Sequence, residues 1–156
     1  MPVHALEIDD FYDDNYTLIG IHTTLEMFQL AYSLNTFLTT KFARNNQDLD
    51  FKNNTVNASF ALYRYENTKL NHNWFLIENQ FIDSSQSKKV GFFTTNETRT
   101  YLIPEKKKVD FFLKLEGSYE SLYIKKTIDA INKIHQVITS YTIEPNTLKS
   151  KDFLIF

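Results

Sequence analysis

Residues 103–110 carry the side chains best suited to chemistry. They read IPEKKKVD and so place two carboxylates on either side of a run of lysines. A carboxylate pair at such spacing could supply a general base or a ligand contact. The structural alternative, which the sequence favours, is that Asp110 accepts hydrogen bonds from the turn amides at 105–108 or pairs with a lysine. The candidate binding residues of this segment are Glu105, Lys106, Lys107, Lys108 and Asp110.

The sequence around this segment predicts a β-hairpin. The first strand covers 101–103 and ends at Pro104, because proline lacks the N–H that a sheet ladder requires and biases the preceding residue to extended geometry. Residues 105–108 form the connection. Side chains on the return strand alternate between two faces, and one set is predicted to face the core. That set is Val109, Phe111, Leu113 and Leu115, with Asp110, Phe112, Lys114 and Glu116 on the other face.

The motif at 103–110 resembles the signature of the bacterial IPExxxVDY family, which is named for these residues. The resemblance covers most of the chain, including residues 19–21 and the ending at 148–156. It departs from the family name at one position, where Phe111 replaces the tyrosine and so lacks the phenol oxygen. The resemblance implies a bacterial protein and no particular activity.

Cysteine and glycine usage excludes several classes of active site. The chain has no cysteine, which removes disulfides, thiolate metal ligands and a cysteine nucleophile. Its three glycines, Gly20, Gly91 and Gly117, lie far apart. A Rossmann fingerprint, a Walker loop and a nucleophile elbow each need clustered glycines, because the backbone must turn tightly or approach a phosphate there. The sequence therefore predicts none of these sites.

The histidines show no pattern typical of a metal site or a catalytic triad. They occupy separate elements, whereas zinc sites usually contain at least one close pair. We therefore expect no metal and no cofactor, and the lack of a recognisable nucleophile or base favours a non-catalytic protein. An enzyme with Glu105 and Asp110 in its site stays open as an alternative. The histidines are His4, His22, His72 and His135.

Length and composition predict one globular domain that spans residues 1–156. A chain of 156 residues with 42% hydrophobic content is long enough to bury a core without disulfides or a structural metal. Its net charge of −2 predicts no broad attraction to nucleic acid or to an anionic membrane. The N-terminus lacks the pattern of a secretory signal, and no apolar run is long enough to span a bilayer, which together predict a cytoplasmic protein.

Hydrophobic periodicity predicts an α+β fold. A first helix is expected from 24 to 39, with a capping box formed by Thr23 and Glu26, and a final helix is expected to follow Ser118. The order of elements predicts a two-layer domain whose largely antiparallel sheet carries both long helices on one face. This topology is ferredoxin-like, with a longin-like or profilin-like fold as the alternative. Strands are expected at 16–22, 55–65, 74–82 and 137–143, and a polar loop at 45–54.

The predicted first helix is apolar on more than the single stripe needed to pack against one sheet. Its polar positions recur at three- and four-residue spacing and form one narrow strip. Either a loop or the C-terminal tail covers the remaining surface, or a second copy does so in a homodimer. The tail, LKSKDFLIF, is expected to dock on its own domain or on a partner. The candidate interface residues are Met27, Leu30, Leu34, Phe37, Phe153 and Phe156.

Two tyrosines suggest an alternative function in RNA binding. Tyr63 and Tyr65 share one face of a predicted strand, and with Trp74 they could form a stacking platform. The lysines at 88–89 and 106–108 would form its basic rim. The near-zero net charge argues against this alternative. The preferred hypothesis is a non-catalytic binding, scaffold or regulatory module that self-associates or binds another protein.

Overall fold

The computed structural model describes residues 15–52, 57–83 and 98–156. Short 3₁₀ turns cover Pro104–Lys106, Pro145–Thr147 and Lys151–Leu154. The strands and helices, in chain order, are β1 (Tyr16–Thr23), α1 (Met27–Leu38), β2 (Ala43–Arg44), β3 (Leu49–Lys52), β4 (Asn57–Phe60), β5 (Leu62–Asn67), β6 (His72–Glu78), β7 (Gln80–Asp83), β8 (Thr98–Tyr101), β9 (Phe111–Glu116), α2 (Ser121–Asn132) and β10 (Val137–Ile143).

An antiparallel sheet of six strands, in the order β10-β1-β9-β6-β5-β2, is the largest element. Strand β9 lies near its centre and pairs with β1 on one side and with β6 on the other. Two smaller sheets, β3 with β4 and β7 with β8, lie outside it. The pairs in the smaller sheets are also antiparallel.

Both long helices pack on one face of the large sheet. Leu30 and Leu34 of α1 and Ile131 of α2 share a buried cluster with Ile21 and Leu113 of the sheet. The prediction of an α+β domain with a largely antiparallel sheet and two helices on one face is therefore confirmed. The ferredoxin-like topology and the longin-like or profilin-like alternative stay predictions.

The opposite face of the sheet is also buried, so the two-layer prediction is wrong. On that face Leu18 and Phe112 belong to a second buried cluster, which includes residues of β4, of the segment 102–109 and of the C-terminal tail. Strand β9 shows the reason, because its neighbours Phe112 and Leu113 point to opposite faces and both are buried. The large sheet is the middle of three layers.

The predicted hairpin around residues 103–110 is wrong. Strand β8 pairs with β7, whereas β9 pairs with β1 and β6. Residues 102–110 therefore cross from a small sheet to the large one through the 3₁₀ turn at 104–106. Because of this crossing, Val109 packs in the cluster on the tail side of the sheet, while Phe111 and Leu113 pack under the helices.

Two long predicted strands are each interrupted. Residues 57–65 divide at Ala61 into β4 and β5, which belong to different sheets, and residues 74–82 divide at Asn79 into β6 and β7. Residues 55 and 56 lie outside the described part of the chain. Periodicity does not reveal these breaks, because apolar residues continue on both sides of each one. The segment predicted as a loop at 45–54 contains β3.

Helix α1 begins one turn later than predicted. Its capping box is formed by Glu26 and Gln29, where the Glu26 N–H donates to Gln29 Oε1 at 3.0 Å. Thr23 instead ends β1, and its Oγ1 donates to the carbonyl of Gln136 at 2.8 Å. The Thr23 hydroxyl therefore joins β1 to the segment before β10.

Helix α2 follows a sharp turn at Gly117. This glycine has a φ of 103°, a left-handed conformation, and the ring of His72 packs so closely that an added Cβ would meet it. The helix begins at Ser121 with Glu120 at its N-cap, in place of the predicted Ser118. The predicted final strand is confirmed at 137–143 as β10.

Asn79 holds the crossing segment in place. It is fully buried between β6 and β7. Its side chain donates to two backbone carbonyls and accepts from one N–H, each at 2.9 Å. Its own N–H and carbonyl make two further hydrogen bonds, at 3.1 and 2.8 Å. The partners are Leu102, Ile103, Lys106, Val109 and Asp110.

We expect Asn79→Ala to lower the free energy of unfolding by about 3 kcal/mol or more, because three backbone groups lose hydrogen bonds that are buried or partly buried. Urea denaturation measures this loss. The control is Asn67→Ala, since the Asn67 side chain accepts an exposed hydrogen bond from the N–H of Leu70 at 3.3 Å. A loss below about 1 kcal/mol for Asn79→Ala would contradict the role assigned to Asn79.

Candidate functional site

Glu105 binds the C-terminal tail. Its carboxylate oxygens accept hydrogen bonds from the N–H and the hydroxyl of Ser150, at 2.7 and 3.0 Å. Partial burial is the largest single influence on the pKa of Glu105 and acts to raise it. The bonds from Ser150 and from neighbouring amides together outweigh burial, so the pKa lies below its ordinary value of 4.5. Glu105 thus has a structural partner.

The lysine run forms an exposed turn. Lys107 and Lys108 are exposed, and Lys106 is half-buried. Lys107 Nζ lies 5.7 Å from the ring centroid of Tyr101, a distance typical of a cation–π contact. The run therefore offers surface charge close to the crossing segment.

Asp110 connects β9 to β1. Its Oδ2 accepts a hydrogen bond from the N–H of Thr23 at 2.9 Å, and its own N–H donates to the carbonyl of Ile21 at 3.0 Å. The prediction that Asp110 holds the turn amides at 105–108 names the wrong partner, because the crossing segment carries Asp110 to the end of β1. The hydrogen bond to the Thr23 amide is a structural one.

A polar cleft of about 410 Å³ opens beside Asp110. Burial raises the pKa of Glu78 on its wall, while Arg44 acts to lower that pKa and Asp48 to raise it further. The side chains of Arg44, Glu78 and Asp110 line the cleft and could hold a small polar molecule there. Glu105 is not among the residues that line the cleft, so the structure does not bring together the two carboxylates of the enzyme alternative.

The sequence interpretation missed Glu78 and Arg44. Glu78 ends the apolar run of β6, and Arg44 lies in β2, in a segment without clear periodicity. The sequence signal for this cleft is Glu78 itself, an ionisable residue at the end of an apolar strand. The position of Arg44 depends on the pairing of β2 with β5, which the sequence did not indicate.

The tyrosines of the RNA alternative lie under the helices. Tyr63 and Tyr65 are half-buried and pack against the helix-side cluster, and Trp74 is buried there. The rings of Tyr65 and Trp74 meet edge to face at 5.7 Å, and Trp74 Nε1 donates to Tyr119 Oη at 2.7 Å. These rings form part of the core and not an open stacking platform. Lys88 and Lys89 lie outside the described residues.

The C-terminal tail docks on its own domain. Leu154 is fully buried, and its carbonyl accepts a hydrogen bond at 2.6 Å from Nζ of Lys114, a residue that is 5% exposed. The same Nζ lies 4.4 Å from the ring of Phe156. Phe153 contacts the ring of Phe51 at a centroid distance of 5.0 Å. The sequence predicted that the tail docks either on its own domain or on a partner, and in the structure it docks on its own domain.

Half of the predicted interface residues belong to the core. Met27, Leu30 and Leu34 are buried against the sheet, so their assignment to an interface is wrong. The physical reason is the phase of α1, because residues three and four apart share the face that meets the sheet. The predicted residues that remain partly exposed are Phe37 at 45%, Phe153 at 43% and Phe156 at 39%.

The outward face of α1 carries large apolar side chains that the sequence interpretation did not single out. Phe28 is 58% exposed and Tyr32 is 73% exposed, and they lie one turn apart. Phe37 lies further along the same helix and about 140° around its axis from Tyr32, so it points to another side. Adjacent exposed aromatic rings are typical of a surface that contacts another protein. We call Phe28 and Tyr32 the α1 face.

No group of three or more histidine, aspartate or glutamate side chains is placed to hold a metal ion within residues 15–52, 57–83 and 98–156. Two of the histidines have tyrosine neighbours instead. His22 Nε2 lies 2.8 Å from Tyr141 Oη, and His72 Nδ1 lies 3.4 Å from Tyr119 Oη. Within the same part of the chain, neither helix has the length and apolar character needed to cross a membrane.

Comparisons with protein-family models, with curated proteins and with solved structures found no match to this chain. The resemblance of residues 103–110 to the IPExxxVDY signature therefore stays a prediction.

We expect Glu78→Gln to stabilise the protein slightly at pH 7, by less than about 1 kcal/mol after solvent screening. The raised pKa means that the folded state disfavours the charged carboxylate. Below the ordinary value of 4.5 the carboxyl is neutral in both states, so the gain disappears. Thermal unfolding of the variant and the unchanged protein at pH 7 and pH 4 measures the gain in stability. The control is Glu66→Gln, because Glu66 is exposed. A gain that is larger at pH 4 would contradict the prediction.

Proposed function

We propose that this protein is a non-catalytic binding or scaffold module of the bacterial cytoplasm, that it belongs to the IPExxxVDY family, and that it self-associates. The observation that carries the proposal is the α1 face. Its two rings, Phe28 and Tyr32, are 58% and 73% exposed. Such rings lose their contact with water when a partner covers them, which favours association.

The surroundings of the α1 face suit a protein interface. Exposed polar residues, Gln29 and Thr36, lie beside the rings. Protein interfaces commonly have an aromatic centre and a polar rim. The face is also free of charged side chains from Met27 to Leu38, so two copies can approach without like-charge repulsion. A second copy is therefore the partner that we propose, through a two-fold contact of α1 with α1.

The non-catalytic part of the proposal is supported by the contacts of the candidate site residues. Glu105 accepts hydrogen bonds from Ser150, and Asp110 accepts one from Thr23. A general base needs an oxygen available to a substrate, whereas the Glu105 oxygens hold the N–H and the hydroxyl of Ser150, and Oδ2 of Asp110 holds the N–H of Thr23. The two side chains thus stabilise the crossing segment and the tail.

We expect the double variant Phe28→Glu/Tyr32→Glu to lower the assembly mass, because charges buried in an apolar contact are costly. Gel filtration with light scattering measures that mass. The matched control is Leu122→Glu, since Leu122 is 59% exposed on α2 and so lies outside the α1 face. We expect the control to keep the mass of the unchanged protein.

Two results would overturn the proposal. An unchanged protein that is a monomer at all concentrations would exclude self-association. An assembly that the double variant leaves intact would exclude the α1 face as the contact. Circular dichroism of the double variant checks that the fold is kept.

A further inference from the structure

The two edges of the large sheet differ in length and charge. One edge is β2, which has two residues and ends with the exposed Arg44. The other edge is β10, which has seven residues, VITSYTI, and no charged side chain. Proteins commonly protect sheet edges by making them short or by placing charges or proline there. Strand β2 has this protection. Strand β10 is long and has no charge or proline, and the irregularity in its ladder with β1 is confined to its first residues.

The outer side of β10 can accept another strand. In an antiparallel ladder, alternate residues direct their N–H and carbonyl groups away from the neighbouring strand. No other strand pairs with β10 on the side away from β1 within residues 15–52, 57–83 and 98–156. The register with β1 is irregular near Thr23 and Val137, and it is regular from Thr139 to Ile143. The regular part is long enough for a further antiparallel pair.

The side chains of β10 favour pairing. Valine, isoleucine, threonine and tyrosine are among the residues enriched in strands, and they make up six of the seven residues. Ile138 is 72% exposed, which is unusual for an isoleucine in a strand and leaves its apolar surface in water. Covering this strand would remove both the apolar surface and the unpaired backbone groups from solvent.

We propose that β10 pairs antiparallel with β10 of a second copy and so joins the two large sheets into one. Antiparallel pairing of a strand with itself has two-fold symmetry, so each outward N–H meets a carbonyl of the other copy. The absence of charge along β10 means that no like charges meet across this contact. This contact uses a different surface from the α1 face, so it goes beyond the proposed function and adds a second interface.

The test uses the double variant Phe28→Glu/Tyr32→Glu as the background, because its charges prevent association through the α1 face. With both interfaces present, we expect the unchanged protein to form an assembly larger than a dimer. We expect the background to be a dimer in light scattering and Ile138→Lys within it to give a monomer, since lysine protects strand edges. Leu122→Lys in the same background is the control, because Leu122 has a similar exposure of 59%. We expect this control to stay dimeric.

The outcomes separate this inference from the proposed function. A background that is already monomeric, while the unchanged protein is not, overturns β10 pairing and supports the α1 face. A dimeric background that Ile138→Lys leaves intact also overturns β10 pairing. A monomeric unchanged protein overturns both. Thermal unfolding of each variant confirms that a change of mass does not come from unfolding.

Introduced cysteines locate the contact, because the chain has no cysteine of its own. We place single cysteines at Thr139, Tyr141 and Thr142, and oxidise each variant alone and in mixed pairs. Residues near the two-fold axis face the other copy within the distance that a disulfide spans. We expect a disulfide-linked dimer from at least one β10 combination and none from Leu122→Cys. Equal cross-linking of Leu122→Cys, or none from β10, would overturn the inference.

Discussion

The hydrogen bonds of the buried Asn79 are the constraint on which the rest of the structure depends. They fix the segment that leads from a small sheet into the centre of the large one. A buried backbone group without a partner is costly, so a crossing segment inside a protein needs internal donors and acceptors. Asn79 supplies five of them here, and bonds within the segment and to Ile21 supply others. Because Asn79 sets where β9 begins, it also sets the position of Asp110 beside Thr23.

The central strand β9 connects the two cores. Leu113 packs under the helices, and Phe112 packs on the tail side, so the sheet is apolar on both faces. Lys114 is the exception among these residues, and its ammonium group holds the tail through the carbonyl of Leu154. The charged residues of the signature segment contribute in the same way, since Glu105 holds Ser150. Charged residues that the sequence offers as candidate site residues or as strand residues therefore hold the C-terminal tail, which belongs to the layer opposite the helices.

The packing of these layers decides which apolar surface is left exposed. The helices cover one face of the sheet, and the tail with the small sheets covers the other. Large apolar side chains remain exposed on α1, on α2, at β10 and in the tail. Among these surfaces, helix α1 and strand β10 carry no charged residue. Apolar surface of this kind is stabilised when a partner removes it from water. The two proposals for self-association follow from these two surfaces.

The sequence by itself determined the elements with strong local periodicity. It predicted β10 with the observed bounds, and it placed both helices on one face of an antiparallel sheet. Local pattern suffices for these, because the spacing of apolar residues fixes which side of a helix or strand is buried. Only the tertiary structure decided the breaks at Ala61 and Asn79, the partner of Asp110 and the exposed rings of α1. Each of these depends on contacts between residues far apart in the chain, which carry no local signal.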